Sequence, residues 1–231
     1  SRSYRGDIKN VWGQGGMSHC MLPWVDMINS RSKTPTDITY VPLAQRLELR
    51  AGEPVQGGQQ VWVSYGKPND DLLQFYGYVE SNNPEDSYSM LGLVDLAVAG
   101  EVPGMTLPQE ALQQRLQEIR TAGLTEYIER VSVTPKGAYQ RSIQAVRMLF
   151  APEGEAAELY KDRPAKGMER KVYEAMQQLA LATRSAWPTT LEEDEALLKE
   201  PMTYDDQLPI LYRVEKKKIL ESFITTISEY L

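Results

Sequence analysis

The sequence predicts an α+β chain in which a β-rich first part gives way to an all-helical bundle. Residues up to about Gly92 are rich in Gly, Pro, Asn and short β-type runs, whereas those from about Pro108 onward carry Ala, Leu, Glu, Gln and Lys at helical spacing. Between them Gly100, Pro103, Gly104 and Pro108 cluster, which divides the chain into a domain of residues 1–100 and a second of residues 101–231. No long helical pattern alternates with the strands, so small crossed sheets joined by long loops fit the first part better than a βαβ sheet.

In the first part, Trp12-Gly13-Gln14-Gly15-Gly16 reads as a loop, and the apolar run 21–29 is punctuated by Pro23, Asp26 and Asn29. Strands are predicted over 38–41, 46–49 and 60–64, with turns at 50–54 and 56–58. Val61, Val63 and Tyr65 alternate with Trp62 and Ser64 as a half-buried strand would, and Gly66 breaks the run. Beyond Lys67-Pro68, Asn69 or Asp70 can cap a short helix carrying Leu72, Leu73, Phe75 and Tyr76. A phenol, Tyr65, thus stands at a strand end with Tyr76 and Tyr78 a short helix away.

In the second part, Leu112, Leu116 and Ile119 predict a helix over 110–121. Ile143, Val146, Met148 and Leu149 predict another over 139–150, and Val172, Met176, Leu179 and Thr183 a third over 168–187. Thr189 or Thr190, followed by Glu192-Glu193, supplies a capping box. The last helix is predicted over 208–231, with Ile210, Leu211, Val214, Ile219, Leu220, Phe223 and Ile227 as its buried stripe.

Composition bounds the chemistry. The 231 residues are 42% hydrophobic, and no apolar run is long enough to span a membrane, so no membrane partner is expected. Cys20 and His19 are single residues of their kinds, which argues against disulfide frameworks, cysteine-cluster zinc sites and histidine-based triads. No metal is expected, and acid–base work falls to Tyr, Asp, Glu or Lys. A net charge of −7 argues against general affinity for nucleic acid, which needs a basic face.

Three stretches in this order resemble one family. Ser1-Arg2-Ser3-Tyr4 is similar to its S-R-x-F/Y block, and Leu22-Pro23-Trp24-Val25-Asp26-Met27-Ile28-Asn29 to its L-V-P-x-x-D-M-x-N-H block. Val61-Trp62-Val63-Ser64-Tyr65-Gly66 through Tyr76-Gly77-Tyr78 is similar to its V-F-I-S-Y-G…N-x-x-L-L-x-x-Y-G-F block. The family is that of the SET-domain protein methyltransferases of the Rubisco large-subunit lysine methyltransferase class. Residues 188–195 and 212–220 resemble stretches of that class's C-terminal substrate-binding domain.

The resemblance implies a knotted SET-type segment, an exception to the rule against threaded chains. It implies S-adenosylmethionine as methyl donor and a protein lysine, or in some relatives a histidine, as acceptor. Tyr65 matches the catalytic tyrosine, and Tyr76 with Tyr78 the aromatics of the lysine channel. Asn29 and the backbone of Ser30 match the donor-binding position, with Asp26 and Arg2 flanking it. The implied partner is a protein substrate, and the chain is expected to be a monomer.

Two departures bear on activity. Ser30 stands where the family has histidine. The family's first SET segment, with its G-x-G turn, should precede the S-R-x-F block and is not in this sequence, and Gly13-Gln14-Gly15 is expected to be a surface turn. The expectation is therefore half a cofactor site, in a piece of a longer protein, and a non-catalytic SET-like scaffold stands as the alternative. The sequence leaves the compartment open. The remaining features have plain expectations: Lys216-Lys217-Lys218 as a solvated helix face that could also dock substrate, Glu192-Glu193-Asp194 as first-turn acid, and Trp24, Trp62 and Trp187 as core.

Overall fold

Two antiparallel strand pairs build the first part of the chain. In the computed structural model, which describes residues 4–9, 15–20, 23–44, 46–152 and 154–231 (backbone alone for 4–9, 15–20 and 42), β1 (Tyr4–Lys9) pairs with β2 (Gly15–Cys20), Tyr4 opposite Cys20 and Lys9 opposite Gly15. Gly15 and Gly16, expected in a loop, are therefore strand residues. Trp12, Gly13 and Gln14 lie outside the described residues, as does Arg2, and the side chains of His19 and Cys20 are not described.

β3 (Asp37–Val41) pairs with β4 (Arg46–Arg50) as the alternation predicts, with Ile38 and Tyr40 turned inward and Asp37 and Thr39 outward. Beyond β4, Gly52 has a φ of 69°, and a Cβ there would lie 2.3 Å from the Pro35 carbonyl oxygen. Only glycine fits this position. The strand expected over 60–64 is reduced to a single parallel bridge, Ser30 to Val63. A ladder needs a row of partners, and the facing segment is extended for only a few residues between a 3-10 turn at Val25–Met27 and the turn containing Lys33, whose φ is 58°.

The chain divides into two compact units, Ser1–Lys67 and Pro68–Leu231. The second opens with α1 (Asn69–Tyr76), preceded by Pro68 in the extended conformation and closed by Gly77 in the left-handed region. Neither Asn69 nor Asp70 caps it; the Asn69 side chain is buried and bonded elsewhere. Next come β5 (Tyr88–Leu91) and α2 (Leu93–Ala99), then α3 (Gln109–Thr121), α4 (Thr125–Glu129), β6 (Arg130–Thr134), β7 (Gly137–Ala138) and α5 (Gln140–Leu149). The unit ends with α6 (Met168–Ser185), α7 (Leu191–Leu197) and α8 (Tyr204–Tyr230).

The chain is α+β, as expected, but its second half is not all helical. β5 pairs with β6, and β6 with β7, so one sheet crosses the compositional boundary near residue 100. Val131 and Val133 of β6 are wholly buried, which drives this alternating Arg-Val-Ser-Val-Thr segment to pair with β5. Around the sheet, Leu112 and Ile119 of α3, Val146 and Leu149 of α5, Val172 and Met176 of α6, and Leu220 and Phe223 of α8 form one apolar core. α7 starts with the predicted capping box: Glu193 N donates to Thr190 Oγ1 at 3.2 Å and Thr190 N to Glu193 Oε2 at 2.7 Å. Among the described residues no helix is long and apolar enough to cross a membrane.

Candidate active site

The structure joins the two segments on which the first-part site residues lie. Val63 N donates to the Asn29 carbonyl at 3.1 Å, and Arg31 N donates to the Val63 carbonyl at 3.2 Å. Two residues on, Tyr65 N donates to Ser30 Oγ at 3.1 Å, and the Tyr65 hydroxyl donates to the Ile28 carbonyl at 2.7 Å. The phenol is fixed at both ends of its residue by the segment that carries Asn29. A phenol hydroxyl both donates and accepts, so a group held in this way has the chemistry to orient an N–H.

The Asn29 side chain is exposed, Ser30 and Asp26 are half-buried, and Trp24 is 87% exposed at a φ of 73°. Trp24 is not core, contrary to expectation: the 3-10 turn that it precedes has no buried residue to pack against. Asn29 offers an amide with two donors and one acceptor, and its own carbonyl is already committed to Val63. Among the described residues, no three His, Cys, Asp or Glu side chains group as a metal site.

Tyr76 and Tyr78 belong to the second unit, and both are half-buried. The helix that ends on Tyr76 is anchored at its start by a buried polar network. Asn69 N and Nδ2 donate to the two oxygens of Asp86 at 3.0 and 2.9 Å. Nδ2 also donates to the Glu80 carbonyl at 3.0 Å, while Glu80 N returns a bond to Asn69 Oδ1 at 3.0 Å. Lys216 of α8 closes the network, its ammonium donating to Asp70, to Asp86 Oδ1 at 2.7 Å and to the Ser87 carbonyl at 2.7 Å. The Tyr212 hydroxyl donates to Asp70 Oδ1 at 2.7 Å. Burial raises the Tyr212 pKa, reinforced by the Asp70 carboxylate, and the phenol stays protonated. Burial also pushes Asp70 upward, but bonds from Lys216 and Tyr212 outweigh it and hold the carboxyl below its ordinary value.

Beside this network lies a second. Asp194 of α7 is wholly buried and accepts from Arg213 Nε and Nη2 at 3.1 and 2.7 Å, Lys217 Nζ at 2.8 Å and Thr189 Oγ1 at 3.0 Å. The Arg213 bonds lead in holding its carboxyl far below the usual carboxylate range. Lys216 and Lys217 are 7% and 4% exposed, so the expectation of a solvated lysine face is corrected for these two. The signal was in the spacing: Lys217 lies three residues from both Val214 and Leu220, and Lys216 three and seven residues before Ile219 and Phe223.

Residues 108–220 match the family model described as the Rubisco LSMT substrate-binding domain. Over 97% of its length the chain superposes on a crystal structure of the SET domain of LSMT bound to lysine and AdoHcy, with a TM-score of 0.56, 14% identity and 52% of that chain covered. On Rubisco LSMT bound to AdoMet the TM-score is 0.58 at 15% identity, covering 92% of this chain and 50% of the other. These likenesses show the fold. An actin-histidine N-methyltransferase of Drosophila melanogaster is 35% identical over 83 residues, 34% of this chain and 15% of the fly protein. The chain thus spans about half the length of the solved relatives and far less of the fly enzyme.

Proposed function

We propose that this chain is part of a protein methyltransferase that moves a methyl group from S-adenosylmethionine to a lysine side chain of a protein substrate. S-adenosylmethionine supplies a methyl on a sulfonium, open to in-line attack. The observation that carries the reading is the Tyr65 hydroxyl held 2.7 Å from the Ile28 carbonyl, next to Asn29, on segments joined by the Ser30–Val63 bridge. Tyr65 is the catalytic residue of the proposal, its oxygen orienting the acceptor nitrogen. Asn29, Ser30 and Asp26 hold the donor, and Tyr76 and Tyr78 line the acceptor channel. Arg2, proposed with them, lies outside the described residues. Residues 101–231 position the substrate protein, a role supported by the family match over 108–220.

Histidine is the second reading for the acceptor, favoured by the fly relative whose name gives that residue. The two acceptors differ in proton affinity. A lysine, with a reference pKa of about 10.4, must lose a proton before it attacks, whereas a histidine near 6.5 is already neutral at pH 8 to about 97%. The natural full-length protein, incubated with labelled donor and cell lysate, should methylate a protein band, and Tyr65→Phe should lower the rate about a hundredfold. Hydrolysis of that band separates methyl-lysine from methyl-histidine, and only the lysine product should form ever faster up to pH 9. Undiminished transfer by Tyr65→Phe would remove Tyr65 from the mechanism, and no transfer by the wild type would favour the scaffold reading.

A further inference from the structure

A cavity of about 650 Å³ in the second unit opens between the start of β6, the segment before α7 and the first half of α8. One side is aromatic. Trp187 meets Tyr88 edge-on, ring centroids 6.3 Å apart, and its Nε1 donates to the Tyr88 hydroxyl at 3.0 Å. The other side is cationic, lined by Arg130, Arg213, Lys216 and Lys217 against the one lining carboxylate, Asp70.

Not all of that positive charge is free. Lys216 is met by Asp70 and Asp86, and Lys217 and Arg213 share Asp194, so four cations face three carboxylates and one positive charge is left over. The Lys216 ammonium has three donors and three acceptors, and the Lys217 ammonium is likewise fully bonded. Arg213 spends only Nε and Nη2 on Asp194, and its side chain is 42% exposed. Arg130, at the exposed start of β6, forms no ion pair with any described residue. An uncompensated guanidinium and the spare edge of another therefore line one cavity with two aromatic rings, on a chain whose net charge is −7.

We propose that this cavity docks an acidic segment of the protein substrate, a glutamate or aspartate carboxylate meeting Arg130 and the open edge of Arg213 while an adjacent apolar side chain lies on Trp187 and Tyr88. The chemistry favours a carboxylate. Guanidinium edges present paired N–H donors that match its two oxygens, and an acidic chain that repels acidic partners elsewhere concentrates attraction here. The volume suits one or two side chains of a bound peptide. The proposal rests on the reading of the helical half as substrate-binding and adds which chemistry it selects.

The indole N–H resonance of Trp187, assigned with Trp187→Phe, reports on this cavity directly in the natural full-length protein. The probe is the capped pentapeptide Gly-Glu-Leu-Glu-Gly, with Gly-Gln-Leu-Gln-Gly and inorganic phosphate as comparisons. The Glu peptide should shift the resonance saturably, with affinity falling as salt rises, and Arg130→Glu should weaken it about tenfold or more. Arg130 has no described partner to strand, so that variant keeps the fold. A resonance indifferent to the Glu peptide, moved equally by the Gln peptide or phosphate, or moved equally in Arg130→Glu would overturn the proposal. No donor or methyl transfer enters this measurement, so its failure is distinct from failure of the methyltransferase reading.

Discussion

Removing the Asp194 carboxylate is the sharpest test of how the helical unit is held together. The side chain is 0% exposed and Lys217 beside it 4%, so Asp194→Ala leaves a buried ammonium with only neutral acceptors and Arg213 without its partner. Breaking a buried pair from one side costs about 3–5 kcal/mol, against about 0–1 for an exposed pair. At about 2–4 °C per kcal/mol for a unit of this size, the melting temperature should fall by about 6–20 °C. Urea denaturation of wild type and variant checks it, the midpoint shifting at unchanged slope. The double variant Asp194→Leu/Lys217→Met should recover much of the loss, because it strands no charge at that pair. The pH dependence follows from the depressed carboxyl: its contribution is complete above the unfolded-state pKa of about 3.9 and fades as pH falls toward the lower folded value, so the gap between wild type and Asp194→Asn should narrow in acid. A loss below about 1 kcal/mol for Asp194→Ala would refute the buried-pair reasoning.

Two further outcomes are expected. Lys216→Met removes the counter-charge of Asp86, 1% exposed, and the tie from α8 to the start of α1; it should cost about 3–5 kcal/mol and speed amide exchange at Leu72 through Tyr76 more than in α3, and equal exchange in the two helices would refute the tie. Gly52→Ala forces a Cβ to within 2.3 Å of the Pro35 carbonyl at a φ of 69°, so it should destabilise the first unit by more than about 1 kcal/mol, read as faster limited proteolysis within residues 23–67.

The helices were legible because their burial is periodic. Leu112 and Ile119 lie seven residues apart, Val146 and Leu149 three, and Val172 and Met176 four, and all six are found inside. β3 and β4 were legible from their alternation, with the turn beyond β4 at Gly52 to end the second strand. The run at 60–64 has the same alternation and makes one bridge, because period-two burial describes one strand and is silent on whether a partner runs alongside. β6 was missed for the opposite reason. Its Val131 and Val133 alternate clearly, but the segment lies in a half whose composition is helical, and its partner β5 lies some forty residues upstream.

The site divides in the same way. Tyr65 and Asn29 were singled out by motif, and their segments are joined by backbone bonds between Val63 and both Asn29 and Arg31 and by two bonds that involve a side chain, from the Tyr65 hydroxyl to the Ile28 carbonyl and from Tyr65 N to Ser30 Oγ, none of which composition encodes. The lysines of α8 were misread because residue type was weighed over position. Their positions among Val214, Ile219, Leu220 and Phe223 face them inward, where an ammonium persists only if carboxylates come with it. Those carboxylates are Asp86 and Asp194, one in the turn region after α1 and one on α7, 130 and 23 residues from their lysines. Adjacent residues of one helix, each turned to a different acid, thus tie both the start of the Tyr76 helix and α7 to α8. On the proposed function, this makes α8 the element through which substrate held by the helical half can bear on the acceptor channel.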